Sequence, residues 1–423
     1  MPSSLPSSQH SAQVALRAAT ASRAATRTVA RAVALALALG AGGGQAWAGP
    51  SDPLHVYGGL GYFHDDNLFR LADEAPGYDN QRSDSARQSV VGVLFDKTWS
   101  RQRIQAQGKL SKVAFSHFKQ LDYDGKDFQG TWNWQLANHL EGSLGATYAQ
   151  TLAPYTDFQS RERNLRVQRR QFADAAWRMH PSWRMRAAAS RDKYTYELSA
   201  QRYNDRTEDA AEAGFDYLPR SGSTAGLVAR RLSGKYLNQR ILAGVVRDDD
   251  YKQDELKARV VWRATPTTTV QALAGYAKRK NAQSGPRDVS GFNGRVTASF
   301  NPRQKLRLNT AAWREFSAIE NYFYTFSLNR GASAGASWDA SAKVRVDANM
   351  SVEQRSYEGR LLNNSPDDLN DMLRQATVGA TWSPLQTVQF STSFIHQERS
   401  GAQFLGNGSF KANTVSVNAN AQF

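Results

Sequence analysis

The chain has 423 residues, no cysteine and a formal net charge of +15, which excludes disulfides and thiolate metal sites. Mean hydropathy is −0.59, and no stretch approaches the roughly 20 consecutive apolar residues of a membrane-spanning helix. Basicity of this size suits nucleic acid, but a chain that begins with an export signal rarely meets it. An acidic polymer or an anionic membrane leaflet is the better partner, and no nucleic-acid partner is expected.

Residues 1–48 have the layout of a secretory signal peptide. Arg17, Arg23, Arg27 and Arg31 stand without an acid, an apolar run follows from Ala32 to Leu39, and Ala46-Trp47-Ala48 offers a small-x-small site before Gly49. The apolar run is too short for an anchor. No Arg-Arg pair precedes it, so twin-arginine export is not expected, and the long basic segment allows a downstream start codon. Without the four arginines, residues 49–423 keep 49 − 38 = +11 charges.

The next feature is Tyr62-Phe63-His64-Asp65-Asp66-Asn67-Leu68-Phe69-Arg70-Leu71. Asp65, Asp66 and Asn67 carry the hard oxygens that a calcium ion or sugar hydroxyls take. The competing reading is a turn, because Asp and Asn bond their own backbone. The turn is the expectation, with Leu68 and Phe69 tucked against a wall. Asp248-Asp249-Asp250 reads as a solvated loop tip, near cations bound to lipopolysaccharide if it binds anything.

From residue 49 onward one unit recurs: a strand ends in an aromatic, a tight polar turn follows, and an alternating strand leaves. The turns are Phe95-Asp96-Lys97-Thr98-Trp99, Trp132-Asn133-Trp134, Trp177-Arg178-Met179-His180-Pro181 and Phe215-Asp216-Tyr217-Leu218-Pro219. They continue as Trp262-Arg263-Ala264-Thr265-Pro266, Phe300-Asn301-Pro302, Trp338-Asp339-Ala340-Ser341 and Trp382-Ser383-Pro384. The spacing of about 40 residues holds two strands of roughly 10 residues, a turn and a loop. Eight turns join nine hairpins. The expected fold is therefore all-β, a transmembrane antiparallel up-and-down barrel of 18 strands (alternatively 16), a single domain over 49–423. Short turns would face the periplasm and longer loops the exterior, the largest at 65–86, 151–165, 237–250, 278–289 and 358–372. The 10 Trp, 16 Tyr and 19 Phe supply interfacial girdles.

Energy assigns the faces. After the Trp338 turn, Lys343, Arg345, Asp347, Asn349, Ser351, Glu353 and Arg355 alternate with Val344, Val346, Ala348, Met350 and Val352. A Lys or Arg facing lipid near the midplane costs about 2–4 kcal/mol, so the charged set must face the lumen. The same rule turns inward Arg103, Gln105, Gln107 and Lys109; Arg184 and Arg186; Lys257, Arg259 and Arg263; and Lys305, Arg307 and Asn309. The lumen is expected to be wet and basic near the periplasmic mouth. For any one of these residues, pairing with a neighbouring acid is the commoner role; Asp347 and Glu353 are candidates to neutralise Arg345 and Arg355.

Chemistry of the enzymatic kind is weakly signalled, and none is expected. His396 near Ser391 or Ser393, and His117 beside Ser116, imitate the Ser–His pair of a barrel hydrolase, but triads are recognised by geometry. No metal spacing and no phosphate-binding glycine loop occurs, so no cofactor is expected.

The chain closes on Val415-Ser416-Val417-Asn418-Ala419-Asn420-Ala421-Gln422-Phe423. Strict alternation gives one side-chain set per face. Val415, Val417, Ala419, Ala421 and Phe423 form the apolar set, which resembles the signal read by the barrel-assembly machinery in outer-membrane barrels.

The Asp-Asn-Leu-Phe-Arg block after the first strand resembles the EpsL family of outer-membrane barrels. Lys235-Tyr236-Leu237-Asn238-Gln239-Arg240 is similar to a Tyr-Pro-Asn-Arg loop motif of that family, with Leu237 in place of Pro and Gln239 inserted. Asp250-Tyr251-Lys252-Gln253 and the aromatic-x-Pro turns match as well. The resemblance spans essentially all of 49–423. It implies a part in exopolysaccharide biosynthesis, commonly beside exosortase and PEP-CTERM gene sets, and carries no catalytic residues. The expectation is an outer-membrane barrel that exports an exopolysaccharide chain through a hydrated basic lumen, among lipid and lipopolysaccharide and with periplasmic synthesis proteins as partners. The alternatives are a plugged anchoring barrel and a general anion-preferring porin.

Overall fold

The structure, a computed structural model, describes residues 52–242, 245–282, 288–318, 324–360, 369–401 and 408–423. The expected signal segment 1–48 lies outside the described residues, as do parts of the expected loops 237–250, 278–289 and 358–372.

The first half of the wall holds β1 (Leu54–Asp65), β2 (Asp84–Trp99), β3 (Gln102–Phe115), β4 (Tyr123–Leu136) and β5 (Leu140–Leu152). It continues with β6 (Leu165–His180), β7 (Trp183–Tyr196), β8 (Arg206–Tyr217) and β9 (Thr224–Tyr236). A small hairpin, β10 (Arg240–Leu242) and β11 (Val245–Arg247), lies in the following loop and, among the described residues, forms its own two-stranded sheet. The second half holds β12 (Tyr251–Thr265), β13 (Thr268–Asn281), β14 (Val289–Arg303), β15 (Leu306–Ala318) and β16 (Tyr324–Asp339). It ends with β17 (Val344–Arg360), β18 (Asn370–Leu385), β19 (Val388–Gly401) and β20 (Phe410–Gln422).

These eighteen wall strands form one sheet that closes on itself. Each pairs antiparallel with its sequence neighbours, β9 pairs with β12, and β20 pairs with β1 from Tyr57–Gln422 to Asp65–Thr414. Val56 and Phe423 exchange both backbone hydrogen bonds at 2.9 and 2.7 Å, so the terminal aromatic completes the seam. Each of the eight expected turns marks a junction of two strands, although Trp132–Trp134, Phe300–Pro302 and Trp382–Pro384 belong to the ends of β4, β14 and β18 and the turn follows them. The strands run 12–17 residues rather than ten, because they tilt and continue past the hydrocarbon.

The faces follow the energetic assignment. Val415, Val417, Met350 and Val352 point outward and are exposed, as are Trp99, Trp177, Trp262, Trp338 and Trp382 near the periplasmic turns. On six strands outward charge reappears at a fixed interval from that girdle. Lys126 lies eight residues from Trp134, and the same interval separates Arg169 from Trp177, Arg191 from Trp183, Asp254 from Trp262, Arg330 from Trp338 and Arg374 from Trp382. Eight residues at ~3.3 Å and a tilt of roughly 40° give ~20 Å of height. This is close to the ~25 Å apolar band of outer-membrane barrels. The chain is an outer-membrane β-barrel with a polar interior.

A charge on one face should therefore behave unlike the same charge on the other. Val417→Arg is expected to lower stability by about 2–4 kcal/mol in urea titrations of the membrane-embedded barrel. Asn418→Arg, one residue away on the lumen side, should stay within about 0.5 kcal/mol.

Candidate functional site

The lumen is the candidate site, and it has three tiers. At the periplasmic mouth, Arg101, Arg103, Arg184, Arg186 and Arg259 line a cavity of about 570 Å³ together with Glu141, Ser143 and Asp174. Arg184 donates to the fully buried Asp216 at 2.7 Å, and Arg259 approaches the same oxygen at 3.6 Å. A second acid is shared likewise: Arg307 and Arg345 both contact Asp339, at 3.1 and 2.8 Å. Arg184 also comes within 3.9 Å of Glu141, whereas Arg307 and Arg345 have Asp339 as their one ion-pair partner among the described residues, which leaves a positive balance there. Arg103 has its own partner in Asp96 at 2.5 Å, while Arg186 has no ion pair among the described residues.

The middle tier is mostly neutral and polar. Gln88, Gln107, Gln389, Ser391, Asn418 and Asn420 surround a space of about 600 Å³. Tyr57 crosses above Gly92, where a Cβ would lie 2.4 Å from its ring, and its hydroxyl accepts from Gln107 at 3.2 Å. Lys109 meets Asp127 at 3.6 Å.

The extracellular tier is filled by loops. The loop after β1 follows the turn reading: Asp65 accepts the Asn67 amide at 2.9 Å, and Leu68 and Phe69 are buried. Phe69 packs edge-on against Tyr78, Phe118 and Tyr155 with ring centroids 4.8–4.9 Å apart. The acids are occupied within the protein. Asp65 holds Arg70 at 2.9 Å and Thr414 at 2.6 Å, and Asp66 accepts the amide and side chain of Asn413 at 2.7 Å each. Among the described residues no group of three or more His, Cys, Asp or Glu is arranged to hold a metal.

The loop between β5 and β6 does what the sequence did not disclose. It crosses the lumen. Asp157 accepts from Arg355 of β17 at 2.9 Å, and the Thr156 carbonyl accepts from Arg399 of β19 at 2.6 Å. β6 and β17 stand nine strands apart whichever way the ring is followed, so this contact is diametric. The receiving wall is prebuilt. Arg355 grips Asp371 with two hydrogen bonds of 2.9 and 2.7 Å, Tyr357 donates to it at 2.5 Å, and Arg399 meets it at 2.5 Å. On the other side, Phe326 near the start of β16 lies over Arg279 of β13 at 4.7 Å, while Tyr251 stacks on that guanidinium at 3.5 Å. Gly234 makes room for Tyr251, since a Cβ there would lie 2.1 Å from the ring.

Several expectations need correction. Lys305 and Lys343 sit in the periplasmic turns before β15 and β17, not on the lumen wall. Arg263 is at the rim, its guanidinium beside Gly222 of the β8–β9 turn. Lys257 is buried against Glu255 at 2.8 Å and does not face the open path. Arg345 and Arg355 are not neutralised by Asp347 and Glu353, because Asp339 and Asp371 lie closer; Glu353 instead accepts from Trp313 at 2.8 Å. Asp249 is no solvated tip: it is buried against Arg240 at 3.2 Å, and Asp250 accepts the Tyr236 amide at 2.7 Å. Ser393 bonds Ser416 inside the barrel, whereas His396 bonds Asn413 on the outer face, so strand alternation keeps that Ser–His pair apart. His117 packs its ring on Phe118 at 4.6 Å.

No protein-family model and no curated protein matches the chain. Solved structures similar to it include Pseudomonas aeruginosa OccK2 (OpdF) in complex with glucuronate, at 10% identity and a TM-score of 0.47, covering 88% of this chain and 98% of that one. Acinetobacter baumannii OccAB3 is similar at 10% identity and a TM-score of 0.46, over 88% of this chain and 99% of its own. The alcaligin outer membrane receptor FauA of Bordetella pertussis shows 11% identity and a TM-score of 0.41, over 86% and 76%.

The buried acid at the landing site can be tested apart from transport. Asp371→Asn should cost about 3–5 kcal/mol, since it takes the carboxylate from the buried Arg399 and leaves Arg355 with Asp157 alone. Arg186→Gln should leave the unfolding midpoint within about 0.5 kcal/mol of the parent. Thermal unfolding followed by the gel mobility of the folded barrel reads both.

Proposed function

We propose that the barrel is an outer-membrane conduit for an exported exopolysaccharide carrying acidic groups, closed at rest by the crossing loop. The observation that carries this reading is the cationic excess at the periplasmic mouth, where Arg307 and Arg345 share Asp339 and Arg186 has no ion pair among the described residues. Such arginines keep donors free, and guanidinium groups bind carboxylates in a planar, bidentate fashion. Beyond the mouth, the neutral amides and hydroxyls of the middle tier suit the hydroxyls of sugar rings. Many weak contacts favour passage, because conduction needs release as much as capture.

Transport would be passive. A chain pushed from the periplasm would gather its acidic groups at the arginine-lined mouth, slide past the amides, and displace the 153–164 loop to leave. The resemblance of the Asp65–Arg70 block to the EpsL family supports a polysaccharide cargo. In the same reading, periplasmic synthesis proteins dock on the short turns and the barrel-assembly machinery reads the strand ending in Phe423. An anion-preferring porin is the second reading, favoured by the same basic mouth. The loop crossing to Arg355 argues against a permanently open one.

Secretion in a strain whose only copy is a variant tests this. Arg186→Glu should reduce secreted acidic polymer roughly tenfold, the equivalent of one charge-assisted contact of about 1.4 kcal/mol, at unchanged barrel amounts. Full secretion by that variant would remove the basic mouth from the path.

A further inference from the structure

We propose that the outer face of β15–β16 carries a binding site for the phosphate of an outer-leaflet glycolipid. Arg314 and Arg330 stand directly opposite each other across these strands, both on the lipid side. Arg330 lies eight residues above Trp338, and Arg314 eight above Leu306, which pairs with Trp338. The pair therefore sits at the outer boundary of the apolar band.

Three other cations of this collar are neutralised within the protein, whereas Lys126 and Arg169 have no ion pair among the described residues and Arg169 lies over the Tyr148 ring, opposite Lys193. Arg191 has Asp209 at 2.6 Å, Arg231 has Asp254 at 2.6 Å, and Arg374 has Glu398 at 3.7 Å. Neither Arg314 nor Arg330 has an ion pair among the described residues. The next residue in the same row, on β17, is the neutral Gln354. Like charges directly opposite in a ladder are destabilising, and the lipid side screens them poorly. An arrangement costly in isolation becomes favourable when an anion bridges it.

The local backbone holds the pair in place. The β14–β15 ladder ends at Gly294–Arg314, and the strands part above it. Arg314 turns one Nη1 to the Phe292 carbonyl, which has no β15 partner, and keeps its other donors. On the β13–β14 ladder, the Ser290 hydroxyl accepts from Tyr276 at 2.8 Å. Tyr276 and Phe292 are exposed on the lipid side and supply an apolar surface for acyl chains. Two guanidinium groups and flanking aromatics make a site for a tetrahedral anion carried on a lipid, rather than for a free carboxylate.

The test uses the full barrel refolded in a neutral detergent, with retained ligand read by native mass spectrometry. The probes are bis-phosphorylated lipid A, dephosphorylated lipid A and inorganic phosphate. Lipid A should be retained, and removing its phosphates should weaken retention at least roughly tenfold, the loss of one charge-assisted contact. The R314Q/R330Q variant should show the same loss with phosphorylated lipid A, and R191Q should not. Equal retention of both lipids by the parent would overturn the site, as would undiminished retention by the double variant. Binding of inorganic phosphate with no preference for the lipid-borne form would overturn its assignment to a lipid. The parent comparison decides the question even if the double variant fails to fold.

Discussion

Hydrocarbon offers no partner to an unpaired peptide group, and the rest of this molecule follows from that constraint. A sheet in the membrane must close, so the last strand must find the first, which it does from Tyr57–Gln422 to Asp65–Thr414. Closure with strict alternation sorts the side chains into a lipid set and a lumen set. Because the chain carries many cations, most of them go to the inside, the periplasmic turns or the outer collar. The basic lumen is thus a consequence of where charge can stand in a membrane wall.

Charge balance within that lumen then decides what each tier does. Asp216, Asp339 and Asp371 each serve two arginines, but with different results. At the periplasmic mouth Arg307 and Arg345 stay partly exposed around Asp339 and leave a positive surface. At the extracellular end Arg355 and Arg399 are buried around Asp371, and the excess charge is met by Asp157 and the Thr156 carbonyl of the crossing loop. One local arrangement thereby supplies attraction at the entrance and a fastening at the exit.

Much of this was legible in the sequence. Period-two alternation and the aromatic-polar-Pro turns placed all eight periplasmic turns and the strand count, because the membrane enforces the same pattern on every hairpin. The inward set from Arg103 to Arg345 followed from the cost of charge in lipid, and Asp65 to Asn67 from turn chemistry. What escaped was everything decided by contact across the ring. Asp157 and Arg355 are 198 residues apart, and nothing in Pro154-Tyr155-Thr156-Asp157 distinguishes a crossing loop from a solvated one. For the same reason Asp249 looked solvated although Arg240 and the β10–β11 hairpin bury it, and Asp347 looked like the partner that Asp339 proved to be. Lys305 and Lys343 were displaced by their position at strand ends, where parity gives way to the turn.

The most direct measurement is planar-bilayer conductance of the refolded barrel, compared with its Asp157→Ala variant, with acidic or neutral polysaccharide on the side of the short turns. The account predicts low conductance that rises when Asp157 is removed, and an opened state that acidic polymer blocks and neutral polymer does not. A wide, steady conductance in the parent, unchanged by Asp157→Ala and indifferent to polymer charge, would contradict it.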